Sequence, residues 1–292
     1  MNTPNKPLAK LTFGEQLNFL LTNRIPRRGL TRFMGWYSKL RIKPLAKFSI
    51  WVWRQFADDL RLSESAQKDF DSLHDCFTRT LVPGARPVCN DPGILVSPCD
   101  AVVGEFGFID GLEVLQAKGF PYTLPELLQD EALAEHYRDG QFVTLRLKSS
   151  MYHHFHAPLD GDITDISYIS GDTWNVNPIA LKKVERLFCR NERAVVRLHT
   201  PDPNNMVTLI PVAAVLVASM RFHGLQNALN LQYTGPNQIQ YHKQCVKGDA
   251  IGYFEHGSTI VMLVPSRYQF CDAVEVGKTI RMGQPLMTSV PY

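Results

Sequence analysis

The chain has 292 residues, 45% hydrophobic and 20% charged, the composition of a folded protein with length enough for one large domain or two ordinary ones. The longest apolar segment, residues 210–220, is about half the roughly 20 residues a membrane span needs, and the run at 17–21 is too short for a secretory core. The net charge of +3 conceals an asymmetry: residues 1–61 carry twelve Lys/Arg against three acids (Glu15, Asp58, Asp59), net +9, and the remainder carries −6, so a basic first fifth on an acidic body asks for a polyanionic partner.

Along the chain, apolar residues fall at Leu30, Phe33, Met34, Tyr37 and Leu40, a helical stripe set among Arg24, Arg27, Arg28, Arg32, Lys39, Arg41, Lys43 and Lys47. Residues 46–60 read as a second helix, with Ile50, Trp51, Trp53 and Phe56 supplying bulk. Aromatic and basic residues on amphipathic helices suit a membrane interface, where each Lys or Arg near an anionic leaflet contributes about 1 kcal/mol. The alternative is that both helices pack on the body and their basic faces are merely solvated. No nucleic-acid-binding motif accompanies the charge, so nucleic acid is not expected as a partner. Residues 65–81 read as a further helix, with Phe70, Leu73, Phe77 and Leu81 on one side, ending at the Pro83-Gly84 turn.

From Arg86 onward the pattern changes to short β-branched runs separated by turns: 94–96, 101–103, 142–147, 194–198, 207–217, 250–254 and 259–264. One helical interruption is expected at 124–137. The fold class is therefore α+β: a mainly antiparallel β core preceded by N-terminal amphipathic helices. Two similar turns, 246–249 and 281–284, each lead into a strand and resemble the paired hairpins of lipoyl-type domains. The expected division is a basic helical docking region, 1–62, and a β-rich catalytic domain, 63–292. Six cysteines (Cys76, Cys89, Cys99, Cys189, Cys245, Cys271) include no Cys-x-x-Cys pair, so reduced, buried thiols are expected rather than a zinc or redox site.

Three places combine reactive side chains with turn-like backbone: Ser97-Pro98-Cys99-Asp100, Tyr152-His153-His154-Phe155-His156-Ala157-Pro158, and His256-Gly257-Ser258-Thr259. An Asp, a His and a Ser from separate segments are the parts of a nucleophile–base–orienter triad. A serine directly after a glycine can attack the carbonyl of that glycine, which has no side chain to obstruct it. The plain alternatives are a turn at Gly257-Ser258, a turn cap at Asp100 and a metal site on the histidines. On a strand, His153 and Phe155 would share one face, and His154 and His156 the other, which argues against the metal.

The landmarks Phe77-Thr78-Arg79, Pro83-Gly84-Ala85-Arg86-Pro87, Ser97–Asp100, Leu115-Gln116-Ala117-Lys118-Gly119, Tyr152–Pro158, Leu187-Phe188-Cys189-Arg190-Asn191-Glu192-Arg193, Gly257-Ser258-Thr259 and Gly283-Gln284-Pro285-Leu286 follow one another in family order. Over about 77–286 the chain resembles the phosphatidylserine decarboxylases, self-processing enzymes that carry a pyruvoyl group. It departs from the family's habit at His256, where leucine or glycine is common, and at Ala101, where glycine is common.

The resemblance implies the following. His156, oriented by Asp100, removes the Ser258 proton, and the alkoxide attacks the Gly257 carbonyl. Elimination from the resulting ester leaves a β chain of residues 1–257 and an α chain that begins with pyruvoyl at 258. That ketone forms a Schiff base with the serine amine of phosphatidylserine and accepts the electrons left when CO2 departs, giving phosphatidylethanolamine. His153 recognises the substrate carboxylate or protonates the carbanion, its structural alternative being a hydrogen bond. No metal is expected. Arg27, Arg28, Arg32, Phe33, Tyr37 and Lys39 are the expected docking residues for an anionic phospholipid membrane, with the protein peripheral on the cytoplasmic face. A homodimer is left open. The competing readings are a pyruvoyl-dependent decarboxylase of another amine acid and a Ser-His-Asp hydrolase, the latter without the Gly-x-Ser-x-Gly pattern around Ser258.

Overall fold

Continuous apolar runs such as Ser258-Thr-Ile-Val-Met-Leu-Val264 form strands that are covered on both faces, because β-branched and long apolar side chains pack well on a pleated surface. The computed structural model describes residues 12, 16, 26–115, 120–214, 219–255 and 258–290. Its body is an eight-stranded antiparallel sheet. The order across it is Gln238–Cys245, Gly161–Ile169, Arg193–Leu198, Val207–Val212, Ser258–Val264, Gln141–Leu147, Ala101–Phe108 and Thr279–Ile280.

Side chains alternate between the two faces of this sheet, as a period of two requires. Val143, Leu145, Ile260 and Met262 enter one core, shared with two smaller sheets. Phe142, Val261 and Leu263 enter the other, beneath the short helices Leu124–Leu128, Glu131–His136, Pro178–Leu181 and Leu187–Arg190. The molecule is thus layered: helices, large sheet, small sheets. One small sheet is antiparallel in the order Leu229–Asn230, Ser219–Phe222, Ala250–Phe254, His154–His156; the other is Ile94–Val96, Pro285–Ser289, Tyr268–Phe270.

The α+β class and the antiparallel core follow the sequence, and several boundaries differ from expectation. The N-terminal helices are Arg27–Tyr37 and Lys43–Phe56, so residues 57–60 are not helical. Within 65–81 only Leu73–Phe77 is helical; Ser72 caps it, and Ser65 pairs with Leu81 as an isolated bridge that draws the ends of the segment together. Its apolar residues Phe70 and Cys76 serve a small cluster with Ile50 and Trp53, not one face of a long helix. The helical stretch at 124–137 breaks into two at Gln129, which is left-handed (φ 52°), and Asp130 caps the second piece. The 207–217 run is a strand only through Val212, and residues 215–218 lie outside the described residues. All six cysteines are free, and Cys89, Cys189 and Cys271 are half-buried rather than buried. No helix among the described residues is long and apolar enough to cross a membrane.

Candidate active site

Four of the sequence landmarks meet around Asp100. The Ser97–Asp100 loop is held by backbone bonds from His156 N–H to Pro98 O (2.8 Å), from Ser97 N–H to Gln284 O (2.8 Å) and from Gly283 N–H to Ser97 O (3.0 Å). Gly283 has φ +85°, and a Cβ there would lie 2.6 Å from the Pro87 carbonyl oxygen, so the crossing of these loops requires glycine. The Asp100 carboxylate accepts from Arg86 Nε (2.8 and 3.1 Å), from Arg86 Nη2 (2.5 Å) and from the Met282 amide (2.9 Å). Arg86 also donates to Glu64 (2.8 Å). Burial works against the charge of this guanidinium, but the two carboxylates more than restore it and raise its pKa.

His156 is buried, and its ring is held by groups other than Asp100. A carbonyl only accepts, so the 2.8 Å contact between Nδ1 and Gly248 O puts the proton on Nδ1. Nε2 then presents its lone pair, which the Tyr152 hydroxyl meets at 3.1 Å. Burial lowers the His156 pKa to about 4, against the opposing effects of the Gly248 bond and the nearby Asp100 charge. The ring is therefore a neutral base at pH 7. The orienting bond assigned to Asp100 from the sequence thus comes from a backbone carbonyl, and Asp100 acts on His156 through its field. Burial likewise raises the Tyr152 pKa, so that hydroxyl stays protonated.

His154 and His156 share one face, as expected, and His153 precedes the strand. Tyr152 stacks on His154 (ring centroids 4.8 Å apart) and tilts against His156 (5.7 Å), while Phe155 enters the core on the other face. His154 donates from Nε2 to Thr78 O (3.0 Å), and burial lowers its pKa to about 4. His153 is fully buried and lies 4.1 Å from the Phe77 ring, which in turn stacks on Trp53 at 5.4 Å. A stack of rings thus runs from the second N-terminal helix to the histidine segment. Strand register puts His156 opposite Ala250, while the His153 carbonyl accepts from Phe254 N–H (3.0 Å), closer along the chain to Ser258.

Ser258 opens a strand in which all seven residues are buried. Its hydroxyl is buried and has no hydrogen-bond partner among the described residues. The preceding strand, Ala250–Phe254, belongs to the small sheet, and Ser258–Val264 to the large one, so the chain changes layer between them. His256 and Gly257 lie outside the described residues, as do residues 116–119 of the 115–119 landmark. Ala101 is buried and starts a core strand, paired with Ile280.

Just before the layer change, Glu255 is buried and accepts from Lys39 Nζ (2.9 and 3.1 Å), with Arg221 at 3.5 Å and His74 at 3.9 Å. Burial opposes ionisation of Glu255, but Lys39 outweighs it and its pKa falls. Lys39, an expected docking residue, is therefore engaged by the body, and the Tyr37 hydroxyl bonds Ser49 (2.7 Å) between the two helices. Arg32 and Phe33 are exposed; the Arg27 and Arg28 side chains lie outside the description. Other basic residues of this region also face acids of the body: Arg41–Asp75 (3.9 Å), Lys43–Asp71 (3.5 Å) and Lys47–Asp69 (3.5 Å). Large aromatics also face outward: Phe33, Trp36, Phe48, Trp51 and Phe56, the last 88% exposed.

The site residues that sequence reasoning missed are Arg86, Tyr152, Gly248 and Glu255. The first two stand inside quoted landmarks and the last beside Gly257-Ser258, so proximity to a motif was their only signal. The Leu187–Arg193 landmark has an architectural role. Arg193 donates to the carbonyls of Leu127 (2.6 Å), Cys189 (2.6 Å), Asn191 (2.9 Å) and Glu126 (2.9 Å), and Asn191 bridges Trp174 and Ala213.

Comparison with known proteins matches this arrangement to one family. A family model described as phosphatidylserine decarboxylase matches residues 73–288. A phosphatidylserine decarboxylase proenzyme from Brevibacillus brevis is 32% identical over 280 residues, covering 94% of this chain and 99% of the relative. Proenzymes of the same name from Vibrio parahaemolyticus (33% identical; 92% of this chain, 95% of the relative) and Pasteurella multocida (32%; 95% and 96%) are similar over nearly their whole length. The chain belongs to the phosphatidylserine decarboxylase family.

Proposed function

We propose that the protein is a self-processing decarboxylase that converts phosphatidylserine to phosphatidylethanolamine and CO2, using a pyruvoyl group made from Ser258. The observation that carries this reading is the buried Ser258 hydroxyl, without a hydrogen-bond partner among the described residues, directly after Gly257 in a chain of this family. A serine hydroxyl needs a base, and neutral His156, with its lone pair on Nε2, has the protonation state for it. Tyr152 is the group that meets that lone pair, so proton removal from Ser258 involves exchange of this contact. Asp100, fixed by Arg86 and Met282, favours the imidazolium that forms. Attack of Oγ on the Gly257 carbonyl carbon breaks the amide and forms an ester. Loss of the Ser258 α-proton then expels the Gly257 carboxylate, and water replaces nitrogen, releasing ammonia.

The orphaned Ser258 hydroxyl is itself the source of the group, so the residues present fit it. Once formed, the group supplies an electron-accepting carbonyl to the substrate amine. His153, beside the layer change and walled by Phe77, is the candidate for substrate carboxylate recognition or for proton delivery. Residues 1–62 are the proposed docking region on the cytoplasmic face of the cell membrane, and 63–292 the catalytic domain. The exposed aromatics form the contact, and Arg27, Arg28 and Arg32 add attraction to anionic lipid.

The test is incubation with phosphatidylserine vesicles. Stoichiometric phosphatidylethanolamine and CO2 are expected. Release of fatty acid without CO2 would instead identify a hydrolase.

A further inference from the structure

A pocket of about 300 Å3 lies between the first N-terminal helix and the small sheet that carries His154 and His156. Arg32, Trp36 and Lys39 form its helix wall; Asn230, Ser219 and Glu255 form its sheet wall. The sheet wall is one row: Ser219 pairs with Asn230, and the Ser219 carbonyl accepts from Glu255 N–H (3.2 Å). Met220, Phe222, Phe254 and Phe155 of this sheet enter the core shared with the large sheet. Ser219, Glu255, Tyr253 and His154 therefore take the opposite face. Tyr253 stacks on His154 there, with centroids 4.9 Å apart. The pocket and the histidine segment thus lie on one side of the same sheet.

Ser219 is 4% exposed, and its hydroxyl has no hydrogen-bond partner among the described residues. Arg32 stands exposed at the mouth and pairs with no acid among the described residues. Lys39 reaches both Glu255 oxygens (2.9 and 3.1 Å) and, as an ammonium, keeps a third donor. With Arg221 also 3.5 Å from Glu255, the positive groups outnumber the one carboxylate. A buried hydroxyl beside surplus positive charge is relieved by an anion with several acceptor oxygens. The helix wall indicates a lipid. Trp36 lies 5.9 Å from Phe33, both are exposed, and such aromatics sit at the headgroup level of a bilayer. A pocket this small takes a headgroup and leaves the acyl chains in the bilayer. Reach agrees. Glu255 and Ser258 are three residues apart, so their Cα atoms are separated by at most about 11 Å. Ser258 is in phase with Ile260 and Met262, so its side chain points to the small-sheet side. A headgroup amine is a few bonds from its phosphate, so a phosphate held beside Glu255 keeps the amine in the neighbourhood of residue 258.

We propose that this pocket binds the phosphodiester of the substrate phospholipid, with Arg32, Ser219 and the third donor of Lys39 on its oxygens and Glu255 holding Lys39 in place. The assignment rests on the decarboxylase reading above and adds the residues that hold the headgroup. Arg32 and Ser219 are binding residues here, with no part in self-cleavage.

The experiment uses the full chain and a short-chain, monomeric phosphatidylserine, so that vesicle docking does not enter. Arg32→Gln and Ser219→Ala should self-cleave normally and keep kcat nearly unchanged. KM should rise severalfold in Ser219→Ala and about tenfold in Arg32→Gln, the size expected for a lost charge-assisted hydrogen bond. Arg32→Lys should recover part of the loss. Should one variant fail to fold, the other decides. Lys47, which faces Asp69 and does not line the pocket, supplies the control: Lys47→Gln removes the same unit of charge and should leave KM unchanged. Glycerophosphoethanolamine, which has no carboxylate to lose, should compete in wild type and weaken in parallel in both variants, whereas inorganic phosphate should compete far more weakly. Unchanged KM in Arg32→Gln and Ser219→Ala overturns the proposal. So does an equal rise in Lys47→Gln, or inorganic phosphate competing as well as the diester. Absence of decarboxylation by wild type would instead retire the functional reading, and this assignment with it.

Discussion

Along Ser258–Val264 every residue is buried, and the strand is paired on both sides, by Gln141–Leu147 and Val207–Val212. Along Arg27–Tyr37 and Lys43–Phe56 only Thr31, Ala46 and Ile50 are buried among the described side chains, and bulky aromatics stand in solvent. One region excludes water from a reactive hydroxyl. The other presents apolar surface that a soluble body has no reason to keep exposed. The two are joined at few places: the Lys39–Glu255 ion pair and the Trp53–Phe77–His153 stack are the most direct. The difference teaches that chemistry and docking are separable, so changes in one region should leave the other's readout intact.

The largest expected effect is in the buried strand. Ser258→Ala removes the nucleophile and should leave an uncut, inactive chain that still binds vesicles, checked by gel electrophoresis and co-sedimentation. If that variant were cut at the wild-type rate, the strand's role in the chemistry would be lost. Next comes the charge cluster behind His156. Asp100→Asn should slow self-cleavage by about 100-fold or more, because the field favouring imidazolium is gone. Arg86→Met strands the Asp100 carboxylate and should destabilise the fold by about 3–5 kcal/mol in urea denaturation.

These side-chain partnerships mark the limit of what the sequence disclosed. Strands with continuous apolar runs were legible because both faces are covered. Gly161–Ile169 and Gln238–Cys245 were not: the latter, at the sheet's edge, buries only Tyr241 and Cys245, so its polar residues mask it. Residues 65–81 gave a false helix because Phe70 and Leu73 pack with Ile50, Phe77 stacks on Trp53 and Leu81 bridges back to Ser65, so the four apolar residues do not line one helical face. Asp100, His156 and Ser258 were legible as residue types. The Gly248 carbonyl that fixes the His156 tautomer was not, because a backbone group carries no signature in sequence. Lys39 could not be read as Glu255's partner across 216 positions.

A smaller effect is pH-dependent stability. His154 and His156 each have a folded pKa of about 4, below the unfolded 6.5, so the unfolded chain takes up protons first as pH falls. Their stabilising contribution is complete above pH 6.5 and is lost toward pH 4. Between pH 7.5 and pH 5 the loss should be roughly 2 kcal/mol per histidine, measured by denaturant titration. His156→Gln should flatten that slope, while vesicle binding of the folded protein at pH 6 should be unchanged.

The smallest effect on the body belongs to the helices. Replacing Phe33, Trp36, Phe48 and Trp51 by serine should change stability by no more than about 0.5 kcal/mol per site, since all four are exposed. Vesicle binding should fall sharply and self-cleavage should persist. Replacing Arg27, Arg28, Arg32 and Lys39 by Gln should weaken binding less, and chiefly at low salt, because exposed charges are screened. The loss of Lys39 also reaches the site, through Glu255.

The claim on which the rest depends is that the chain cuts itself between Gly257 and Ser258. Denaturing intact mass spectrometry of the purified, active protein measures it most directly. The account predicts two chains, residues 1–257 and 258–292, the shorter blocked at its N-terminus by a ketone that borohydride reduces. A single chain of 292 residues in a preparation that decarboxylates phosphatidylserine would contradict it.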